Sequence, residues 1–270
     1  MSKTIFITGA SSGLGKQTAI LFAQKGWNVI ATMRNPANEK ELSAMANITL
    51  LPLDVTNPQQ VEETAKQVTA TGTIDIVFNN AGYGLAGPFE GASEEQLQKQ
   101  IDTNLMGVLR VTKAFLPHFR EKKNGLFITT TSIGGHVTFP FNSVYHATKW
   151  ALEGWSESLS YELAPLGITV KTVAPGGIYT DFAGRSLVMT KHPAYKTMVD
   201  KALAIFYNPE RQKKDYSTAE EIAQVVYEAA TDGKPQLRYI AGKGARKMYK
   251  VRRLFGYKFF MAQVRKMFFR

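Results

Sequence analysis

Tyr145 and Lys149 stand four residues apart, and Ser132 precedes them in the chain. On a helix, residues i and i+4 share a face, so the Lys149 ammonium would lie beside the Tyr145 phenol. A neighbouring positive charge favours the phenolate and lowers a phenol pKa from its usual value of about 10. Because a general acid works best when its pKa lies near the working pH, the spacing predicts acid–base chemistry by a tyrosine. So short a pattern also occurs on ordinary exposed helices.

The amino-terminal segment predicts a dinucleotide-binding turn between a strand and a helix. Residues 4–8 are apolar, as in a buried parallel strand, and a helical pattern that stops near Gly26 follows the turn. Between them the spacing is Gly-x-x-x-Gly-x-Gly. Glycines permit the tight turn and let the backbone approach a pyrophosphate, which rests on the unpaired N–H groups of the helix. The predicted cofactor-binding residues of this turn are Gly9, Ser11, Ser12, Gly13, Leu14 and Gly15.

The end of the second predicted strand, residues 27–33, indicates which dinucleotide is used. Sites for NAD place an acidic residue there to hold the ribose 2′-hydroxyl. This chain has Arg34 at that point and no acid. A guanidinium pairs with a 2′-phosphate, and the Ser11 hydroxyl could add a contact, so we expect NADPH or NADP⁺ rather than NADH.

Strand-like and helical segments alternate through the rest of the chain. This alternation is typical of an α/β fold of the Rossmann type, a doubly wound parallel sheet with helices on both faces. Ligands of such sheets bind outside the carboxyl ends of the strands, where Gly9, Asn80, Ser132 and Pro175 follow predicted strand ends. The predicted strands are 48–53, 74–78, 126–131, 168–173 and 237–241, and the predicted helices are 58–70, 94–119, 144–164 and 218–230.

The helix predicted over 94–119 carries two further expectations. Ser93 and Gln96 have the spacing of a capping box at its start. Its apolar stripe predicts which residues are buried, namely Leu97, Ile101, Leu105 and Val108.

Motifs in order from residue 8 to residue 180 make the chain resemble the short-chain dehydrogenase/reductase family. Residues 8–15 are similar to its cofactor motif, Asp54 and Val55 to the pair that flanks the adenine, and 79–82 to its central-strand motif. Residues 175–180 resemble the segment that holds the nicotinamide carboxamide. The resemblance implies a seven-stranded sheet. It also implies further cofactor-binding residues, namely Asp54, Val55, Asn80, Ala81, Gly82, Tyr145, Lys149, Pro175, Gly176, Ile178 and Thr180.

The same resemblance implies a catalytic tetrad of Asn104, Ser132, Tyr145 and Lys149. NADPH would supply a hydride to a ketone or aldehyde carbon, while Ser132 donates a hydrogen bond to the carbonyl oxygen and Tyr145 donates the proton. Lys149 would lower the Tyr145 pKa and hold the nicotinamide ribose. Asn104 would position a water that connects Lys149 to solvent.

We therefore expect an NADP-dependent carbonyl reductase whose reaction is reversible. Three alternatives stay open. One is a hydroxyl dehydrogenase of the steroid or retinol type, and another is a 3-oxoacyl-thioester reductase. The third is a protein that binds NADPH as a sensor or scaffold without turnover.

Two regions are predicted to line the substrate, the stretch 139–141 and a lid over residues 181–215. The lid stretch 182–207 is polar and predicts irregular structure. The aromatic content favours an apolar or aromatic ketone over a charged sugar, although ordinary packing under a loop would explain each residue as well. The candidates are Phe139, Phe141, Phe182, Met189, Tyr195, Phe206 and Tyr207.

Length and composition bound the remaining possibilities. The 270 residues suit one domain over 1–270, and a chain without cysteine has no disulfide or thiolate metal site. The four histidines show no metal-ligand grouping, so we expect no metal, and His146 is interpreted as incidental. No apolar run reaches membrane-spanning length, and the first strand begins almost at once, which favours a cytoplasmic protein without a signal peptide.

The segment 241–270 has an unusual composition. It carries ten Lys or Arg and no acid, and so accounts for nearly all of the net charge of +11. Apolar residues at helical spacing on both sides of Gly256 predict two amphipathic helices, with Met248, Val251 and Phe255 on the first and Phe260, Val264 and Met267 on the second.

Three interpretations of this segment compete. The helices pack on the domain or on a neighbouring subunit, or 245–270 contacts a membrane surface. Nucleic-acid binding is the third, but nothing else in the sequence supports it and we expect none. The family resemblance also implies a homo-oligomer, a dimer or a tetramer.

Overall fold

A seven-stranded sheet forms the centre of the protein in the computed structural model, which describes residues 2–179 and 187–269. The strand order is β11-β7-β6-β4-β1-β2-β3, and every neighbouring pair is parallel. This confirms the predicted seven-stranded parallel sheet. The strands are β1 Thr4–Thr8, β2 Asn28–Met33, β3 Ile48–Pro52, β4 Ile76–Asn79, β5 Gly84–Ala86, β6 Gly125–Thr130, β7 Ile168–Pro175, β8 Ile178–Tyr179, β9 Leu187–Met189, β10 Ser217–Thr218 and β11 Arg238–Ala241.

Helices cover both faces of the sheet, as predicted for a doubly wound fold. Successive side chains of a strand point to opposite faces, so Ile5 and Ile7 enter one core while Phe6 enters the other. The first core includes Phe22 and the second includes Phe115. The helices are α1 Gly13–Gln24, α2 Pro58–Thr71, α3 Glu94–Ile101, α4 Gly107–Lys122, α5 Ser143–Leu163, α6 Lys196–Phe206, α7 Pro209–Asp215, α8 Ala219–Thr231 and α9 Lys243–Phe269.

The single helix predicted over 94–119 is wrong, because a π-helical turn at Asp102–Met106 separates α3 from α4. The capping box of Ser93 and Gln96 is confirmed. A π turn shifts the register of a helix face. Ile101 is accordingly exposed, against prediction, while the polar Gln100 and Asn104 are buried.

The lid stretch is more regular than its composition predicts. From residue 187 onward it holds β9 and α6, so the prediction of irregular structure is wrong there. Thr180 and Phe182, predicted to bind cofactor and substrate, lie outside the described residues.

The carboxyl-terminal segment forms α9 in two helical halves, as predicted, with Gly256 between them at φ 74° and ψ 178°. The predicted inward stripes are only partly right. Phe255 and Met267 are exposed, whereas Phe260 and Phe268 are buried. No helix in 2–179 or 187–269 is long and apolar enough to cross a membrane.

Candidate active site at the carboxyl edge of the sheet

The glycine turn after β1 leaves no room for a side chain at Gly9 or Gly15. Gly9 has a φ of +70°, and a Cβ on it would lie 2.8 Å from the Cα of Ala81. A Cβ on Gly15 would lie 2.3 Å from the carbonyl oxygen of Gly9. Ser12 is the N-cap of α1 without a side-chain capping bond, and the first turn holds no acid. The unpaired N–H groups of this helix end therefore fit the pyrophosphate of a dinucleotide.

Asn80 joins the ends of three strands. Its amide nitrogen donates to the carbonyl oxygens of Thr8 (3.2 Å) and Gly9 (3.1 Å), and its amide oxygen accepts from the Thr130 hydroxyl (3.2 Å). The Thr8 hydroxyl accepts from the backbone N–H groups of Asn80 and Ala81. These bonds hold the glycine turn against the loop after β4. That loop carries the predicted cofactor-binding residues Asn80, Ala81 and Gly82.

The loop after β2 separates its charges in a way that fits a phosphate. Arg34 is exposed, and within the described ranges no carboxylate forms an ion pair with it. The nearby acids Glu39 and Glu41 both pair with Lys16 on α1, at 3.0 Å and 2.8 Å. These ion pairs of Lys16, which were not predicted, give both carboxylates a cation other than Arg34. Ser11, the second predicted contact, is also exposed.

Asp54 and Val55 have structural partners of their own. Asp54 accepts hydrogen bonds from the backbone N–H and the hydroxyl of Thr56, at 2.9 Å and 2.7 Å. Val55 is buried, and a Cβ on Gly107 would lie 2.7 Å from it. The predicted adenine contacts thus stand at a fixed turn after β3.

Ser132, Tyr145 and Lys149 come together where β6 ends. Ser132 follows β6, and the other two lie on α5. The Lys149 ammonium lies 5.8 Å from the centre of the Tyr145 ring and donates to the Thr130 carbonyl oxygen at 2.8 Å. The Ser132 hydroxyl is close enough to the Tyr145 phenol to affect its pKa, and the Ser132 oxygen accepts a hydrogen bond from the Gly134 N–H at 3.0 Å.

The pKa values in this group differ from the prediction. Burial raises the pKa of the Tyr145 phenol above its ordinary value, and the Ser132 hydroxyl offsets this only in part. The predicted lowering of the Tyr145 pKa is therefore wrong, because burial has the larger effect on the phenol. Burial lowers the pKa of Lys149 itself to about 8, against the opposing attraction of the Glu153 carboxylate.

Asn104 lies in the π-helical turn and holds the backbone of Tyr83 with both ends of its amide. Its oxygen accepts from the Tyr83 N–H at 3.0 Å, and its nitrogen donates to the Tyr83 carbonyl oxygen at 2.8 Å. The buried Gln100, which the sequence argument missed, donates to the same oxygen at 3.1 Å. Gln100 lies one turn before Asn104 within a stripe of apolar residues, and that position could have indicated its burial. The two amides fix the loop directly after Gly82.

His146 is not incidental, contrary to the prediction. It is buried, and its Nδ1 lies 2.8 Å from the Gly134 carbonyl oxygen. Its Nε2 accepts a hydrogen bond from the Phe139 backbone N–H at 3.0 Å. This pairing requires a proton on Nδ1 and none on Nε2. Burial lowers its pKa and so favours the neutral ring. The ring thereby holds together two parts of the connection between β6 and α5, the turn after Ser132 and the stretch at Phe139.

Glu153 is a buried carboxylate one turn beyond Lys149, a spacing that continues the series from Tyr145. It accepts hydrogen bonds from Thr131 at 2.5 Å and from Arg238 at 2.9 Å. Burial alone would raise its pKa, but bonds with His136, Thr131 and Arg238 hold the pKa below the ordinary value. The sequence argument did not identify it.

Two of the predicted substrate residues, Phe139 and Phe206, meet with ring centres 5.9 Å apart. Two rings of α9 that were not predicted join them. Phe268 lies 5.2 Å from Phe206, and Phe260 lies 6.3 Å from Phe139. We call these four rings the aromatic cluster.

The other predicted lining residues are placed differently. Phe141 has a φ of 62° and its carbonyl oxygen accepts from Gly87, while Tyr207 is largely exposed. The centre of the Tyr195 ring lies 5.5 Å from that of the His192 ring, and Met189 pairs with β5. Among the described contacts, none joins Tyr195 or Met189 to the aromatic cluster.

The described part of 175–180 packs beside the last strand of the sheet. Pro175 ends β7, and the Gly176 N–H donates to the Ala241 carbonyl oxygen at 3.0 Å. Ile178 lies in β8, which pairs with β10.

Comparison with known proteins gives consistent matches. The family model described as short chain dehydrogenase matches residues 3–189. Retinol dehydrogenase 8 of Homo sapiens is 32% identical over 251 residues, which cover 87% of this chain and 80% of that protein. The crystal structure of a short-chain dehydrogenase from Streptomyces avermitilis has a TM-score of 0.83 at 31% identity, covering 98% and 96% of the two chains. An alcohol dehydrogenase from Thermococcus sibiricus complexed with 5-hydroxy-NADP has a TM-score of 0.73 at 26% identity, covering 90% and 97%.

Proposed function

The chain belongs to the short chain dehydrogenase family of oxidoreductases, and we propose that it reduces an apolar ketone or aldehyde to an alcohol, reversibly, with NADPH. One observation carries this proposal. The Ser132 hydroxyl lowers the pKa of the buried Tyr145 phenol, and the Lys149 ammonium lies 5.8 Å from the Tyr145 ring centre, at the same sheet edge as the glycine turn. A proton donor, an oxygen partner and a cradle for a dinucleotide thus share one edge.

The residues at the sheet edge fit NADP(H). NADPH supplies the hydride for the carbonyl carbon when it is bound. The turn from Gly9 to Gly15 would hold the pyrophosphate, and Arg34 would pair with the 2′-phosphate, a group that NADH lacks. The related alcohol dehydrogenase complexed with 5-hydroxy-NADP supports this choice.

Protonation of the substrate oxygen would come from Tyr145. The raised pKa keeps its phenol protonated at neutral pH, as an acid requires. Ser132 accepts from Gly134 and so keeps its own proton to donate to the carbonyl oxygen. Lys149, with a pKa of about 8, would reprotonate Tyr145 and hold the nicotinamide ribose. We also propose that Asn104 positions a water that connects Lys149 to solvent.

The aromatic cluster supports an apolar substrate, with residues 181–215 as its lid. A site lined by rings offers few partners for a charged sugar. Similarity to retinol dehydrogenase 8 favours oxidation or reduction at a retinol- or steroid-type hydroxyl as the second candidate.

The test is NADPH consumption by the purified protein with a panel of carbonyl compounds. The panel contains an aryl ketone, retinal, a steroid ketone, a 3-oxoacyl thioester and an aldose. We expect turnover with at least one apolar carbonyl and none with the aldose. Tight binding of NADPH without consumption of any compound would support the sensor or scaffold and contradict the proposal.

Two expectations about the whole protein belong to the same proposal. We propose a homo-oligomer, a dimer or tetramer, because Ile101, Trp150 and Tyr161 expose large apolar side chains on α3 and α5. Light scattering after size exclusion tests it. A cytoplasmic location is the other expectation, and cell fractionation tests it.

A further inference from the structure

The bend in α9 exposes a dense group of apolar side chains. We call residues 250–261, on both sides of Gly256, the elbow. Leu254 is 76% exposed and Phe255 is 60% exposed. Side chains of this size are usually buried, and contiguous exposed groups mark sites of interaction. The exposed apolar residues of the elbow are Leu254, Phe255, Tyr257, Phe259 and Met261.

Positive charge surrounds these side chains without any acid. Lys250, Arg253 and Lys258 are exposed within the elbow, and the whole segment 241–270 contains no Asp or Glu. The Arg252 guanidinium lies 5.8 Å from the ring centre of Tyr257, which keeps a further cation at the same place. The elbow therefore combines apolar tips with a field that attracts anions.

The opposite side of α9 already has its partner. Phe260 and Phe268 are buried and contact Phe139 and Phe206 in the aromatic cluster. Packing on the body thus uses Phe260 and Phe268 and leaves the exposed side chains of the elbow outside that contact. An exposed apolar surface on a firmly packed helix requires a separate explanation.

We propose that the elbow docks into the interface of an anionic lipid bilayer. Aromatic and aliphatic side chains enter the boundary between headgroups and acyl chains, while Lys and Arg pair with anionic headgroups. A helix that lies in the interface needs no long apolar stretch, and α9 is not apolar enough to cross a membrane. The apolar and cationic groups of the elbow are both used in this arrangement.

Two other occupants fit the elbow less well. Phosphates and bases would leave Leu254 and Met261 without a suitable contact, since stacking uses rings. A second copy bound symmetrically would bring two cationic, acid-free segments together, which charge repulsion opposes.

Docking also bears on the substrate, and this step rests on the proposed function. The same helix carries the elbow and two rings of the aromatic cluster. A docked protein would hold that cluster next to the membrane, where apolar carbonyl compounds concentrate. The carbonyl substrate would then be drawn from the bilayer.

The experiment measures cosedimentation of the full-length protein with lipid vesicles. One set contains phosphatidylcholine and phosphatidylglycerol, and the other contains phosphatidylcholine alone. We expect binding to the anionic set at low salt and much weaker binding at high salt, because salt screens the headgroup charge. This measurement needs no turnover, so it tests docking even if the proposed activity fails.

Two variants with matched controls test the two parts of the elbow. The triple change Lys250→Gln, Arg253→Gln, Lys258→Gln should weaken vesicle binding on the order of 100-fold. Its control removes the same charge outside the elbow, by Lys66→Gln, Lys99→Gln, Lys113→Gln, and should weaken binding far less. The double change Leu254→Ser, Phe255→Ser should weaken binding by about tenfold or more. Its control, Phe89→Ser with Leu166→Ser, removes an exposed ring and an exposed aliphatic side chain elsewhere and should have no such effect.

Three outcomes would overturn the proposal. The first is that the wild-type protein fails to bind anionic vesicles at low salt. The second is that the elbow variants bind as well as their controls. Self-association or nucleic-acid binding that the elbow variants abolish, without vesicle binding, would assign the surface to that partner instead.

Discussion

Helices α5 and α9 depart from the usual amphipathic pattern in opposite ways. A surface helix normally buries apolar residues and exposes polar ones. On α5 the buried residues include His146, Lys149 and Glu153, while on α9 the exposed residues include Leu254 and Phe255. Both arrangements cost stability unless partners compensate.

The two helices differ in where those partners come from. On α5 each of these three ionisable side chains has a hydrogen-bond partner within the protein, namely Gly134 for His146, Thr130 for Lys149 and Arg238 for Glu153. On α9 the exposed rings have partners among themselves, such as Phe255 and Phe259 at 5.1 Å, but they remain accessible. The buried ionisable residues of α5 therefore indicate contacts within the protein, whereas the exposed apolar residues of α9 indicate a partner outside it.

The largest expected effect tests α5 at Tyr145. Replacing Tyr145 with Phe removes the proton donor but keeps the ring, so we expect turnover to fall by about 10³-fold with NADPH binding nearly unchanged. Steady-state rates and an NADPH fluorescence titration measure the two quantities. The control is Tyr161→Phe, an exposed tyrosine on the same helix. More than about a tenth of the wild-type rate in Tyr145→Phe would contradict its role as general acid.

The next effect tests the packed side of α9 with two adjacent rings. Phe268 is buried against Phe139 and Phe206, so Phe268→Ala should lower the free energy of unfolding by about 3 kcal/mol. Phe269 is exposed, and Phe269→Ala should change it by less than about 0.5 kcal/mol. Denaturant unfolding measures both. Equal losses would mean that α9 does not pack through the side described here.

A smaller effect concerns the cation that follows β2. Arg34→Asp should reduce the preference for NADPH over NADH by about 10- to 100-fold, because charge-assisted hydrogen bonds to the 2′-phosphate contribute about 1.5–3 kcal/mol. Lys40→Asp makes the same change of charge on the same loop and should leave the preference as it is. Kinetic constants with each cofactor measure the ratio, and an unchanged ratio in Arg34→Asp would remove Arg34 from the site.

The smallest effect tests the histidine of α5. His146→Ala leaves the Phe139 N–H and the Gly134 carbonyl without their ring partner, and should cost about 1–2 kcal/mol of unfolding free energy. Glu162→Ala, at an exposed position of α5, is the control. The KM for an apolar ketone should rise in His146→Ala because Phe139 loses its support.

This contribution should depend on pH in a defined direction. Burial lowers the pKa of His146, and the neutral ring is the bonded form. The unfolded chain therefore binds the proton more readily, so the stabilisation is complete above the unfolded pKa of about 6.5 and is lost as pH falls through the folded pKa. Unfolding of the wild type and His146→Ala should converge at acidic pH. A difference that grows with acidity would show that the charged ring is the bonded form.

Much of the sheet and its ligand edge could be predicted because those signals are local. Apolar runs and glycine spacing identified β1 and the start of α1, and the Ser93–Gln96 box identified the start of α3. Such features depend on residues a few positions apart. The π-helical turn after Ile101 was not predicted. The burial of Gln100 and Asn104 depends on their hydrogen bonds to Tyr83, which lies outside the helix.

Local signals in the sequence predicted the seven strands of the main sheet, the glycine turn, and the alignment of Tyr145 with Lys149, since periodicity and backbone sterics act over a few residues. The tertiary structure set the partners of the ionisable groups. Lys149 bonds to Thr130, His146 joins Gly134 to Phe139, and Glu153 meets Arg238. It likewise decided which side of α9 packs and which side is exposed. Burial and long-range hydrogen bonds set these features, and neither is encoded in the spacing of neighbouring residues.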